Sequence, residues 1–149
     1  MNTRIEPPWH LWVVGVLALL FTAFGGYDYT MTQLGDRDYI RAMMGPMGID
    51  TDTALAYFEA FPIWMEFVWA IGVWGAVAGA VLLLLRRRLA YPVLIVSFFA
   101  FIVSNIYGLA NPIPGMDPSA SLVPVAVIFV VMLGLILYTR EMRRRGVLG

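Results

Sequence analysis

Four polar side chains lie in or beside long apolar runs of the sequence, where polar residues are uncommon. Glu66 comes about one helical turn, or about 6 Å, after Pro62 at the start of an apolar run. Asp28 and Tyr29 end the first such run, and Asn105 lies late in another. Because ionisable groups are costly inside a bilayer, these residues are candidates for a functional site. We predict that the four form one outward-facing ligand-binding pocket. The alternative is that both acids only cap helices in the headgroup zone.

Catalytic chemistry has little support in this composition. His10 is the only histidine, and along one helix it would lie about 27 Å from Asp28, too far for a catalytic triad with the acids at that level. There is no cysteine, which excludes disulfides, thiolate metal sites and thiol nucleophiles. We therefore predict that the protein is not an enzyme, with no catalytic residue, no metal site and no cofactor. Between Trp9 and Trp12, His10 is typical of an anchor at a membrane interface.

A methionine-rich segment is the one feature that could still bind a metal. Met43, Met44 and Met47 lie close together in the longest connection, and thioethers are ligands for Cu(I). Methionine is also a common filler of irregular apolar contacts. The segment lacks the repeated spacing and nearby histidines of methionine-rich copper sites. We predict no metal here, although the sequence alone does not decide between the two roles.

Four stretches without Asp, Glu, Lys or Arg organise the chain: residues 7–27, 67–85, 89–116 and 118–139. A hydrocarbon core about 30 Å thick needs about 20 apolar helical residues to cross it, so all four can span a membrane. Prolines stand near the start of each span, where their missing N–H costs nothing. We predict an all-α, integral membrane four-helix bundle forming a single domain over residues 1–149. The predicted helices are 8–29, 62–85, 89–109 and 122–138.

The connections differ in length and character. Residues 86–88 form a tight turn, so the second and third helices make an antiparallel hairpin. Residues 111–121 are rich in proline and indicate an irregular loop. The loop at 30–61 is the only sizeable piece outside the spans. It is expected to hold a short helix over 36–44 and a second one that begins at Thr51 as N-cap and lies on the membrane surface.

The arginines predict the orientation of the helices. With four spans, both termini and the turn at 86–88 share one side of the membrane, which holds eight of the ten arginines. Positive residues favour the cytoplasm, so we predict cytoplasmic termini and a periplasmic 30–61 loop in a multi-pass protein of the bacterial inner (plasma) membrane. The eight are Arg4, Arg86, Arg87, Arg88, Arg140, Arg143, Arg144 and Arg145.

Small residues recur at helical spacing on the second and third predicted helices. Such stripes let two backbones approach closely within a bilayer. They indicate packing within the bundle, or association with another copy or a larger complex. The fourth helix is mostly bulky around a lone Gly134, and we expect it to pack more loosely. The helix-packing residues are Gly72, Gly75, Ala76 and Gly79 in the second helix and Ser104 and Gly108 in the third.

Several stretches carry a resemblance to a known group of proteins. They are Trp9 with Trp12, residues 28–32, Phe-Pro-Ile-Trp at 61–64 and Trp-Ala-Ile-Gly-Val-Trp-Gly at 69–75. In these stretches the chain resembles uncharacterised small four-helix inner-membrane proteins of proteobacteria. The similarity covers the first two predicted helices and the approach between them. It implies a class and a location, and no substrate.

Two functions from different classes follow. The first is a non-enzymatic protein whose role is helix–helix association, as an accessory subunit or a homo-oligomer. The alternative is a carrier of a small solute or cation, with Glu66, Asp28 and Asn105 lining an acidic site. The expected partners are the lipid bilayer and other membrane helices. Nucleic acid is not expected, because the arginine clusters lie against the membrane.

Overall fold

A computed structural model describes residues 5–149 and shows helices joined by turns, with no strand in that range. Four helices are long and apolar enough to cross a membrane, as predicted. The α-helices are α1 (Trp9–Gln33), α2 (Arg37–Met44), α3 (Thr51–Glu59), α4 (Ile63–Leu84), α5 (Ala90–Ala110) and α6 (Leu122–Arg144). Short 3₁₀ turns at Gly45–Met47 and Pro118–Ser121 complete the chain.

The first and last helices run further than the sequence indicated. α1 continues to Gln33 instead of ending at residue 29, and α6 continues to Arg144 instead of residue 138. In α1 the hydroxyls of Thr30 and Thr32 donate to carbonyls one turn earlier, so these polar residues are satisfied inside the helix. In α6 the charged residues extend the helix through i,i+3 and i,i+4 ion pairs.

The closest helix pair is α4 with α5, and small residues are the reason. A Cβ added at Gly75 would lie 3.0 Å from the Ser97 Cβ, and one at Gly72 would lie 3.4 Å from the Phe101 backbone nitrogen. The Ser97 hydroxyl donates to the Gly72 carbonyl at 2.5 Å. Gly79 lies against Leu94 with similar closeness. Three of the predicted packing residues therefore lie in the α4–α5 interface.

The other small residues do not all have this role. Gly108 faces open space, so it does not contribute to a helix interface within the described chain. The Ser104 hydroxyl donates to the Ala100 carbonyl of its own helix. Gly134 also meets nothing within 4 Å, in keeping with a loosely packed α6. The close approach at glycine therefore involves Gly72, Gly75 and Gly79 of α4 and the part of α5 from Leu94 to Phe101.

α1 packs on the other side of α4, and α6 packs on α5. Gly26 accommodates the Trp74 ring, which would lie 3.3 Å from an added Cβ. Met132 and Leu135 of α6 are buried in the main apolar cluster. The four spans therefore follow the order α1, α4, α5, α6, with the first and last helices facing each other across a seam.

The segment between α1 and α4 has a small apolar cluster of its own. Ile40, Ile49 and Ala54 are buried there, and Met44 and Met116 pack against them. These two methionines thus act as apolar filler. Within residues 5–149 there is no group of three or more histidine, cysteine or acidic residues that could hold a metal ion.

The N-cap of α3 is Asp50, and the prediction of Thr51 was wrong by one residue. The Asp50 carboxylate accepts from the backbone amides of Asp52 and Thr53, each at 3.0 Å, and from the Thr53 hydroxyl. These bonds favour the ionised form, and the hydroxyl of Thr53 contributes most to lowering the pKa of Asp50. Aspartate is a stronger N-cap than threonine, and this one accepts from two amides that have no partner inside the helix. α3 therefore starts at Thr51, one residue earlier than predicted.

The arginine turn between α4 and α5 binds the last residues of the chain. We call residues 146–149 the C-terminal strap. Its Gly149 exchanges backbone hydrogen bonds with Arg86 (2.8 Å) and Arg88 (3.1 Å), and the side chain of Arg86 donates to the Val147 carbonyl at 3.2 Å. Val147 and Leu148 are buried. These arginines therefore contribute to the tertiary structure as well as to the charge asymmetry.

Candidate functional site

A cavity of about 610 Å³ lies inside the bundle, at the end where α2 and α3 are found. We call this the α2–α3 end and the opposite one the arginine end. The cavity is lined by residues of α1, α3, α4, α5 and α6. It falls in the range of about 300–1,000 Å³ that is typical of ligand pockets. It exists because α6 packs on α5 without closing against the α2–α3 half of α1.

Aromatic side chains of α3, α4 and the link between them cover the α2–α3 end of the cavity. The Phe58 ring stacks on Trp69 with centroids 5.8 Å apart, and Phe61 packs edge-on against the same ring at 5.9 Å. The Tyr57 hydroxyl donates to the Asn111 carbonyl at 2.7 Å and ties α3 to the end of α5. Burial raises the pKa of Tyr57, so it remains a donor. These aromatic residues therefore cover the cavity at this end.

Most polar groups along the cavity use their hydrogens within their own helices. The hydroxyls of Thr22 and Ser104 donate to carbonyls four residues earlier. The Asn105 amide nitrogen donates to the Phe101 carbonyl at 2.8 Å. Its amide oxygen has no hydrogen-bond partner within residues 5–149. Polar recognition by the lining therefore depends mainly on acceptor oxygens.

Asp28 is the one acid that lines the cavity. One carboxylate oxygen accepts from the Tyr39 hydroxyl at 2.7 Å. Burial, followed by this bond and the charge of Asp28, raises the pKa of Tyr39, so the phenol keeps its proton and remains a donor. Asp28 has no salt-bridge partner in the described part of the chain. The nearest arginines in sequence, Arg37 and Arg41, pair with other acids.

The structure brings together two of the four predicted site residues. Asp28 and Asn105 both line the cavity, whereas Glu66 and Tyr29 do not. Glu66 follows Met65, which is buried against the cavity, and the next residue along a helix turns about 100° away. Its side chain makes no hydrogen bond within residues 5–149, so the predicted contact with the other three is absent.

Tyr29 and Tyr39 have roles that sequence reasoning did not assign. Tyr29 packs edge-on against Trp69 at 4.7 Å, behind the cavity wall, and so positions an aromatic ring that lines it. Tyr39 was missed because α2 had no predicted contact with α1. One signal for this contact was available in the sequence. Tyr39 lies in the first turn of α2, and the N-cap of that helix, Asp36, comes shortly after the end of α1, so Tyr39 had to be near the end of α1.

The cavity opens along the seam between α1 and α6. Phe21 and Phe24 of α1 and Val123 and Val127 of α6 line it and are also exposed. At the arginine end the same two helices are joined, because the His10 ring nitrogen Nδ1 lies 2.6 Å from the hydroxyl oxygen of Tyr138. The two helices therefore meet at one end and separate at the other, on surfaces long and apolar enough to face lipid.

Comparisons with protein families, with curated proteins and with solved structures found no match for this chain. The argument about function rests on the cavity itself. Its lining is apolar and aromatic, with one carboxylate and one free amide oxygen at the α2–α3 end. Such a site can hold an apolar body and orient a small polar group.

Proposed function

We propose that this is a multi-pass protein of the bacterial inner membrane that binds an amphipathic molecule between its helices and catalyses no reaction on it. The observation that carries this proposal is the seam between α1 and α6, through which an apolar cavity of about 610 Å³ opens. Apolar surface around the opening would face hydrocarbon in a bilayer. A molecule dissolved in lipid could therefore enter without crossing water.

This proposal develops the carrier alternative and changes its substrate class. A small hydrophilic solute or a bare cation would have to give up hydration in a mostly apolar lining, which is costly without many polar partners. An amphipathic molecule keeps its polar group at Asp28 and gains from contact between its chain and the apolar wall. Glu66 has no part in the site.

Filling the cavity tests the proposal. Gly25 lines the cavity and an added Cβ there meets nothing within 4 Å, so Gly25→Leu should occupy free space without a clash. We expect this variant to fold and to lose the bound molecule. The measurement is native mass spectrometry of the protein released from bilayer nanodiscs, which detects small molecules that stay bound.

The matched control for this variant is Gly108→Leu. Gly108 is also a half-buried glycine with open space around it, but it lies outside the cavity lining. The control should keep the bound molecule at the level of the unmodified protein. Equal retention by both variants, or no bound molecule in the unmodified protein, would overturn the proposal.

Helix–helix association remains the second candidate, as an accessory subunit or a homo-oligomer. It is favoured by a second apolar groove along the same seam, which the small residues Ala18 of α1 and Gly134 of α6 help to line. Small residues on an open groove permit close approach of another helix. In the same mass spectra, particles of more than one copy, or with a co-purifying membrane protein, and without a small molecule would support this candidate.

The orientation of the helices is also a proposal. The excess of arginine at the arginine end favours a cytoplasmic location for that end and a periplasmic one for the α2–α3 end. The chain has no cysteine, so single cysteines report on one place each. In spheroplasts, an impermeant thiol reagent should label exposed Ala42→Cys on α2 and leave Gly149→Cys unlabelled until the membrane is opened. The reverse pattern would invert the proposed orientation.

A further inference from the structure

The α2–α3 end of the cavity contains the Asp28 carboxylate and the Asn105 amide. We propose that the cavity selects an amphipathic molecule with a primary ammonium group, whose chain lies between α1, α4, α5 and α6 and whose ammonium contacts the Asp28 carboxylate. This inference rests on the proposed function and names the ligand class of the same site. It is carried by the charge of Asp28 and by the acceptors that line the cavity.

The first step in the argument is the charge balance around Asp28. Its carboxylate receives one hydrogen bond from a neutral phenol, Tyr39, and no salt bridge from residues 5–149. Arg37 lies 2.7 Å from Asp52 and Arg41 lies 3.1 Å from Asp38, so both cations of this segment are already paired. A half-buried carboxylate without a cation gains most from a ligand that brings one.

The second step is the match of donors and acceptors. One oxygen of Asp28 and the amide oxygen of Asn105 have no partner in the described chain, and both residues line the cavity. An ammonium group offers three donors and no acceptor. A hydroxyl group offers one donor and carries no charge. A carboxylate or phosphate head that carries no cation would bring further acceptors and a second negative charge close to Asp28.

The third step is the shape of the apolar part of the cavity. Along α6 the lining runs from Val123 to Met132, which spans about 14 Å at 1.5 Å per residue. The chain of the ligand would extend from the Asp28 level past Val127 towards Ala76 at mid-depth in α4. A medium-length alkyl chain fits this space, and the seam provides lateral access for it.

The experiment uses the full-length protein in bilayer nanodiscs with a photoactivatable dodecylamine. A matched photoactivatable dodecanol has the same chain and no charge. Labelling that unlabelled ligand can compete away, mapped to peptides of α1 and α6, measures occupancy of the cavity. We expect the amine to bind about tenfold more tightly than the alcohol, since a hydrogen bond to a charged group contributes a factor of that order.

Asp28→Asn is the variant that isolates the charge. The amide keeps the volume and an acceptor for the Tyr39 hydroxyl, so the fold is preserved. The matched control is Glu66→Gln, because Glu66 is also a half-buried acid but lies outside the cavity lining. We expect Asp28→Asn to bind both probes equally and Glu66→Gln to keep the tenfold preference. Equal binding of the two probes by the unmodified protein would overturn the amine preference and leave the proposed function intact. No saturable labelling by either probe would overturn both.

Two sources share this chemistry: a free alkylamine and a phospholipid with an ethanolamine head. Competition by short-chain phosphatidylethanolamine, but not by short-chain phosphatidylglycerol, would assign the lipid as the ligand. Competition by dodecylamine alone would assign a free amine. Competition by phosphatidylglycerol as strong as that by phosphatidylethanolamine would contradict selection of an ammonium group.

Discussion

Replacing Gly75 by leucine should lower the free energy of unfolding by about 3 kcal/mol, and Gly79→Leu should have a comparable effect. An added Cβ at Gly75 would lie 3.0 Å from the Ser97 Cβ and 3.5 Å from its Cα, which are held by the backbone of α5. At Gly79 it would lie 2.5 Å from the Leu94 Cγ. A leucine at either position must push α4 and α5 apart. The measurement is equilibrium unfolding by sodium dodecyl sulfate in mixed micelles.

Gly134→Leu is the control for these two variants. It places the same side chain in a membrane helix, but at an exposed position where nothing lies within 4 Å of an added Cβ. We expect it to leave the stability unchanged or slightly raised, because leucine favours the helix more than glycine does. Similar losses of unfolding free energy at all three positions would show that the close α4–α5 contact contributes no more to stability than an exposed helix position does.

Truncating Leu148 to alanine should cost about 3 kcal/mol, which is an effect typical of a core leucine. This residue has no exposed surface although it lies in the C-terminal strap. Its backbone carbonyl also accepts from the Arg88 side chain at 3.1 Å, so the strap cannot move easily to fill the space left behind. The same unfolding measurement applies.

The matched control is Leu137→Ala, since that leucine is 54% exposed on α6. Its truncation leaves no internal space and should change the stability little. If Leu148→Ala were no more destabilising than this control, the strap would contribute nothing to the fold, and the hydrogen bonds of Arg86 and Arg88 to it would be incidental.

The helical spans could be predicted because their signal is one of composition. A run free of charged residues and long enough to cross the hydrocarbon core is sufficient evidence, whatever the run packs against. Packing is a different matter, since it depends on which way each residue faces. Gly75 and Gly108 look alike in sequence, yet Gly75 meets α5 closely and Gly108 faces open space. Small size permits close approach but does not specify the neighbour.

The site was predictable only in part for the same reason. The level of Asp28 and Asn105 along their helices follows from helix length, and both do line the cavity. Glu66 lies at a similar level but on the side of α4 that faces away from the cavity. The sequence pattern does not indicate which of the two neighbours, Met65 or Glu66, faces the cavity. The Tyr39 contact depends on how α2 folds back on α1, which is a tertiary event that a local pattern does not encode.

The seam between α1 and α6 differs from the other helix contacts in how the chain connects the two helices. Of the four neighbouring pairs around the bundle, three are linked by covalent connections: α1 to α4 through α2 and α3, α4 to α5, and α5 to α6. The fourth pair is the first and last helices, which are held by side chains such as His10 and Tyr138. Within residues 5–149 no backbone hydrogen bond joins these two helices, so widening the seam breaks none there and stretches no loop. The opening lies at the place in the ring where separation is least restrained by the chain.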